Sequence, residues 1–448
     1  MPVVVRSRPD ACPGVFAPHD AADGALARIR LPGGAISAAA VRVVADCADE
    51  LGDGHLHLTS RGNLQLRGLA RSGALVAGLT AAGLLPSATH ERVRNVLASP
   101  LAGLAGDDPP LGVRRAAAGA ANTRSGGSPD EDPHLRVVRA AAGALSTRSG
   151  GSPDVRELAA ALDRGLCARP GLAELPGRFL FALDDGRGDV AAEGPDLCWR
   201  AGTLLVAGVP AAEVAAADAV ATLLDAAEVF LALRAADGGG AWRVAELADA
   251  PERIGAALAG CIPVPPSRSR ESASGLQLGG LAAIGLEQGH LAAIPGTPAA
   301  PRAAVPGPVV RDDGRVALVV APLLGEQAGL GGGQLADAGH SMIVTPWRTL
   351  VLPDPQVSAA DLAAAGLVVE PGPAADLSAC AGRPGCAKAL ADVRADALAA
   401  LDHLPAGRVH VSGCARRCGA PRGPHVDAVA LAGGGYLVDG TTRTDLFA

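Results

Sequence analysis

Hydrophobic and polar positions alternate most regularly between His55 and Arg67. His55, His57, Thr59, Arg61, Asn63, Gln65 and Arg67 fall on one parity, and Leu56, Leu58, Leu64 and Leu66 on the other. A period of two is that of a strand with one face in the core, and the opposite face here is polar and basic. Ahead of it, Ala25 to Leu31 reads as a strand and Pro32-Gly33-Gly34 as a turn. The run from Ser37 to about Leu51 reads as a helix that the Ser37 hydroxyl can cap. A similar order returns late in the chain, with strands over 315–321 and 342–352 and a helix over 359–366. Even the helix ends echo each other, L-T-A-A-G-L at 79–84 and L-A-A-A-G-L at 362–367. Two such units predict an old internal duplication with a pseudo-twofold cleft between the halves.

Between the units the pattern fails. RAAAGAANTRSGGSPD at 115–130 returns as RAAAGALSTRSGGSPD at 139–154, a tandem repeat whose Ser, Gly, Pro and Ala content reads as a linker. Two copies with little to bury do not make a solenoid. PVPPSRSRESASG at 263–275 marks another boundary, and the Pro-rich run 295–308 reads as a surface loop. The expected organisation is a first half-domain over 1–105, a flexible insert over 106–154 and a first α/β lobe over 155–262. A linker with the second half-domain follows over 263–367, and a second α/β lobe over 368–448.

A chain of 448 residues has material for more than one core. The net charge of −7 and the absence of a sustained basic run speak against nucleic-acid binding. No stretch approaches the roughly 20 apolar residues of a membrane span, and the N-terminal residues lack the apolar core of a signal peptide, so a cytoplasmic protein is expected. Of 39 basic residues only Lys388 is lysine, which excludes any mechanism that needs two.

Nine cysteines without an export signal point to reduced thiols or metal ligands rather than disulfides. Four cluster as Cys380-x5-Cys386 and Cys414-x3-Cys418, each pair in glycine- and proline-bearing sequence. Thiolates that converge on an iron–sulfur cube need short loops and close backbone approach, which glycines permit. A structural zinc site also takes four cysteines, but usually in pairs spaced by two to four residues, so the five-residue gap favours a 4Fe-4S cluster.

That cysteine pattern resembles the cluster signature of the sirohaem-dependent sulfite and nitrite reductases. T-S-R-G-N-L-Q-L-R-G at 59–68 resembles their T-T-R-x-N-x-Q strand, and V-R-N-V at 93–96 their second arginine motif. The resemblance implies an α+β fold of two pseudo-twofold-related ferredoxin-like half-domains and two α/β lobes, with an anionic tetrapyrrole in the cleft. Guanidinium groups grip carboxylates bidentately without losing charge. The implied substrate-binding residues are Arg61, Asn63, Gln65, Arg67, Arg94, Asn95 and Arg178.

The reductases use a lysine pair after a Leu-Pro as proton donors. In LPGRFLFALDDG at 175–186 the matching positions are Arg178 and Leu180, and a guanidinium does not readily give up a proton. The tetrapyrrole is then substrate rather than cofactor, as in the precorrin-3B synthases, the cobalamin-pathway branch of the superfamily. The N-terminal R-x-R-P-D-A-C-P-G is also similar to theirs. This resemblance implies oxygen-dependent hydroxylation of precorrin-3A with γ-lactone formation, and electrons from NADH through a separate reductase, since G-G-G-Q at 331–334 is no dinucleotide fingerprint. A mononuclear non-haem iron is the expected oxygen-activating centre. Its ligands are not evident: His55 and His57 read as polar strand positions, and His340, His410 and His425 carry no assignment. The alternatives are a sirohaem-dependent reductase, with sirohaem as cofactor, and a non-catalytic electron-transfer subunit.

Overall fold

A computed structural model of the chain describes residues 10, 12–70, 73–104, 154–260, 304–311, 313–328 and 334–446. The tandem repeat, except Asp154, the segment 263–275 and most of the Pro-rich run lie outside the described residues.

The first half runs β1 (His19–Ala21), β2 (Gly24–Ile29), β3 (Ala35–Ser37), α1 (Ala38–Leu51), β4 (His55–Leu58), β5 (Leu64–Leu69) and α2 (Gly73–Ala81). The first lobe adds β6 (Val96–Ala98), α3 (Val155–Ala168), β7 (Phe181–Asp184), β8 (Leu197–Arg200), β9 (Thr203–Val206), β10 (Val209–Glu213), α4 (Ala219–Ala236) and α5 (Ala250–Leu258). The second half brings β11 (Gly307–Val310), β12 (Val316–Pro322), β13 (Glu326–Ala328), β14 (Ser341–Val344), β15 (Leu350–Leu352), α6 (Ala359–Ala364) and β16 (Leu367–Val368). The second lobe closes with α7 (Pro373–Asp376), β17 (Leu377–Ala379), α8 (Val393–Ala399), β18 (Val409–Ser412), β19 (Val426–Ala430), β20 (Tyr436–Val438) and β21 (Thr441–Arg443).

The duplication is written in the strand order. One sheet is β1-β2-β5-β4-β13 and its twin β11-β12-β15-β14-β3, so each half lends its third strand to the other. The exchange turns on a glycine in each half. Gly34 (φ +75) comes so close to the Val344 carbonyl that a Cβ would lie 2.1 Å from its oxygen, and Gly325 (φ +72) packs on Arg348. Because β3 and β13 cross over, neither half is a continuous stretch, and β6, expected in the first half, joins the sheet of the first lobe. The lobes are twins too: β6-β7-β8-β9-β10 and β17-β18-β19-β20-β21 each pair parallel, parallel, antiparallel, antiparallel.

Local sequence explains the parts. Ser37 caps α1 by accepting from the Ala40 amide, and Val41, Val44, Ala45 and Ala48 give the helix one apolar face, which packs with Leu56, Leu58, Leu64 and Leu66. The alternation from His55 to Arg67 is a hairpin rather than one strand. Its parity survives because Leu58 and Leu64 are cross-strand partners on one face. The stretch 342–352 is likewise a hairpin, β14–β15. The twin helix ends at 83 and 366 both place glycine at positive φ, +73 and +84. Among the described residues no helix is long and apolar enough to cross a membrane.

Candidate functional site

The two hairpin turns are twins and face one cavity. In the first, Thr59 N–H donates to the Asn63 carbonyl and Thr59 Oγ1 accepts from Asn63 N–H. In the second, Thr345 and Thr349 repeat both bonds. Their tips, Ser60-Arg61 and Pro346-Trp347-Arg348, line a cavity of about 280 Å³ together with Leu180, Glu193 and further arginines. Arg61, Arg243, Arg348, Arg408, Arg417 and Arg422 all contribute, and no lysine does. Arg348 is pulled down to about 10 by burial and then by Arg394, while it donates to the Gly419 carbonyl at 3.0 Å. Glu193, raised by burial, accepts from Trp347 Nε1 at 2.9 Å.

Behind this wall lies a second group that the sequence motifs did not single out. Arg28 on β2 and Arg30 just after its end stand opposite the core parity, and Arg30 is 2 % exposed. Burial first, and Arg28 next, pulls the Arg30 guanidinium down to about 9, and burial, with Arg243 second, pulls Arg61 to about 10. Among the described residues, Arg30 Nε and Nη1 and Arg28 Nε are buried without a hydrogen-bond partner. A guanidinium keeps its charge in neutral solution, so a buried one with unfilled donors is a costly group that an anion would relieve. Cys12 lies close enough to Arg30 and Arg61 to feel their charge, and its thiol is pushed up by burial and by Asp10. The signal available in the sequence was R-I-R at 28–30, two cations alternating with buried Ala27 and Ile29.

Of the seven residues expected to bind substrate, Arg61 alone lines this cavity. Arg94 is buried in a bidentate pair with Asp163 at 2.6 and 2.8 Å and also donates to the Leu84 carbonyl. Arg67 is held by Asp23 and reaches the Gly385 carbonyl at 2.7 Å, next to Cys386. Asn63 accepts from Leu31 N–H, Asn95 donates to the Gly177 carbonyl, and Gln65 accepts from Arg28. Arg178 stacks over Trp242, 5.1 Å from the ring centroid. Arg67, Arg94 and Asn95 are thus held by protein acceptors, and Arg178 by the Trp242 ring.

The four cysteines gather at the C-terminal ends of β17 and β18. Cys380 follows β17 directly, its N–H bonded to the Val411 carbonyl, and its sulfur accepts from Gly413 N–H at 3.1 Å. The Cys418 thiol is raised by burial and then by Cys380, Cys414 and Cys386, against a lowering by Arg416, so the four sulfurs are neighbours. Yet among the described residues no three of them come mutually within 4.8 Å. Tetrahedral zinc with Zn–S bonds of about 2.3 Å would need sulfurs roughly 3.8 Å apart. Gly413 gives the close backbone approach that a thiolate-held cluster needs: a Cβ there would lie 2.7 Å from Ala389 Cβ and 3.6 Å from the Cys380 sulfur.

The first lobe has the same bonds without the thiols. Ser99 N–H binds the Leu183 carbonyl, and Ser99 Oγ accepts from Asp185 N–H, so Ser99 stands where Cys380 stands in the twin. Beside it are Asp184, Asp185 and Asp189, with carboxylate oxygens within 4.8 Å of one another. Burial and then Asp184 push Asp189 up to about 7.

Comparison with known proteins agrees with this architecture. Residues 19–75 match the nitrite/sulfite reductase ferredoxin-like half domain. A solved structure of the Mycobacterium tuberculosis NirA protein superposes with a TM-score of 0.55 at 18% identity, covering 92% of this chain and 73% of that one. The fold is that of the sulfite and nitrite reductases. A precorrin-3B synthase from a Sinorhizobium species is 39% identical over 67 residues, which span 15% of this chain and 15% of that relative.

Proposed function

We propose that this reductase-like fold serves a precorrin-3B synthase type of oxidoreductase, which binds precorrin-3A and hydroxylates it with dioxygen, closing a γ-lactone. The observation that carries the reading is the cavity wall, with six guanidinium groups and no ammonium. Guanidinium groups bind carboxylates and keep their protons, which suits a polycarboxylate substrate and not the repeated protonation of a small anion. Where the reductases that this chain resembles place their lysine pair, Arg178 is turned onto Trp242 and Leu180 forms part of the wall. The short match to a precorrin-3B synthase supports the same choice.

In this reading Arg61, Arg243, Arg348 and Arg422 of the cavity wall take the carboxylate arms of one edge of the macrocycle, and Arg28 and Arg30 add positive charge behind them. Leu180 and Trp347 give that edge an apolar flank and exclude water. Cys380, Cys386, Cys414 and Cys418 hold a 4Fe-4S cluster that supplies single electrons when bound. The overall balance is precorrin-3A, O2, NADH and a proton giving the hydroxylated γ-lactone, water and NAD+, one oxygen atom entering the macrocycle and a carboxyl group of the substrate closing the ring, with NADH acting through a separate reductase. The proposed location is cytoplasmic, and a mononuclear non-haem iron is the proposed oxygen-activating centre.

The test is anaerobic absorption and EPR spectroscopy of the purified protein, then addition of precorrin-3A under air with a reductant. A cluster signal without sirohaem bands, with conversion of the macrocycle, is the expected result. Stoichiometric sirohaem would make the chain an anion reductase, and a cluster with no tetrapyrrole binding would leave an electron carrier.

A further inference from the structure

The crossover of β13 brings a carboxylate from the second half onto the histidine strand of the first. Glu326 is the cross-strand partner of His57, and His57 in turn of Gln65, so the three share one face of the sheet. Asp53, just before β4, turns back onto the same spot. Donor atoms of Asp53, His55 and Glu326 all lie within 4.8 Å of one another. His57 stands between the two carboxylates, with Nε2 at 2.9 Å from Asp53 Oδ2 and Nδ1 at 3.9 Å from Glu326 Oε2. His55 Nδ1 is 3.9 Å from Glu326 Oε1 and 2.8 Å from the Asp53 carbonyl.

We propose that Asp53, His55 and Glu326, with His57 beside them, bind one divalent first-row transition-metal ion. Two imidazoles and two carboxylates on a partly exposed rim form the mixed N,O donor set that selects such ions over calcium or magnesium. Metal–ligand bonds of about 2.1 Å place adjacent donors roughly 3 Å apart, so modest side-chain rotations close the site. Arg394 pairs with Glu326 and partly neutralises that carboxylate. It also competes for the same charge. The site joins the two halves across the exchanged strand, so an ion there fastens the crossover. Neither half of the sequence holds the full donor set, and H-x-H alone reads as an ordinary alternating strand. The inference is independent of the proposed tetrapyrrole chemistry, because it requires neither cluster nor substrate.

The experiment uses the full-length protein with its cysteine site in the as-isolated state. Co2+ alone is the probe, followed anaerobically by equilibrium dialysis with elemental analysis and by X-ray absorption at the cobalt edge. One equivalent with nitrogen and oxygen scatterers is expected, weakened by about ten-fold or more in His55→Ala and in Glu326→Gln. Arg394→Gln, which removes the competing cation and no donor, should bind Co2+ several-fold more tightly, and it guards against loss through misfolding. Sulfur scatterers, no uptake by the wild type, or equal uptake by the His55 and Glu326 variants would each overturn the proposal.

Discussion

Two rows of residues occupy the same place in the twin sheets. Across the first sheet, Arg28, Gln65, His57 and Glu326 are partners in successive strands. Across the second, Val319, Val351, Ile343 and Ala35 are. The polar row leaves Arg28 Nε without a partner among the described residues. The apolar row is sealed by Leu101, Leu104 and Ala304. The lobes differ in the same manner: Ser99 and three aspartates stand in one where Cys380 and its partners stand in the other. Duplication conserved the backbone bonds, and the chemistry was divided between the copies. A cleft of this kind needs only one polar wall and one thiol-bearing lobe, and the other copies are free to become supporting core.

The comparison between the lobes can be broken most sharply at the sulfurs. Cys386→Ser and Cys414→Ala should abolish cluster iron and its visible absorption, whereas Asp184→Asn in the first lobe should leave both unchanged. Iron analysis and spectra decide it, and equal iron loss from the Asp184 variant would end the division of labour.

A second difference lies in how each lobe is packed. The first buries Phe179, Phe181 and Phe230 in contact, with ring centroids 5.0 Å apart around Phe179, and among the described residues Tyr436 is the aromatic of the second lobe's smaller core. Phe230→Ala should therefore cost about 3–5 kcal/mol in denaturant unfolding. Removing the cluster should speed amide exchange over β17 to β19 and leave β6 to β8 protected. Uniform exchange in both lobes would contradict the idea that thiol-bound iron substitutes for aromatic core.

The Ser99 position makes a pH prediction. Asp189 is raised from an ordinary carboxylate value of 3.8 to about 7 by burial and Asp184. The folded chain thus binds a proton that the unfolded chain releases between these values, so this group's contribution to stability is full below about pH 4 and falls as pH rises toward 7. The loss is on the order of 2–4 kcal/mol. Asp189→Asn should flatten that slope in thermal melts between pH 4 and 8, and an unchanged slope would count against it.

The smallest effect tests the twin helix ends. Among the described residues nothing lies within 4 Å of a Cβ at Gly83 or Gly366, so alanine at either meets the backbone cost of positive φ, about 1 kcal/mol. Equal costs would support the equivalence, and a large difference would weaken it.

Much of this was legible. The Ser37 cap, the leucine parity of 56–66 and the echoed helix ends each rest on neighbours in the chain, and each found its counterpart in the fold. The hairpins were read as single strands because a five-residue turn preserves parity. Arg94 was expected to meet substrate, and its partner Asp163 was invisible because it arrives from a helix 69 residues away.

The sequence by itself determined periodicity, caps, the thiol spacing and the shortage of lysine, all properties of local chemistry and counting. Only the tertiary structure decided which arginines are left unfilled, which strand crosses to the other half, and that Glu326 meets His57. Those depend on contacts between residues far apart in the chain, and a side chain's charge acquires a role only when the fold fixes what stands opposite it.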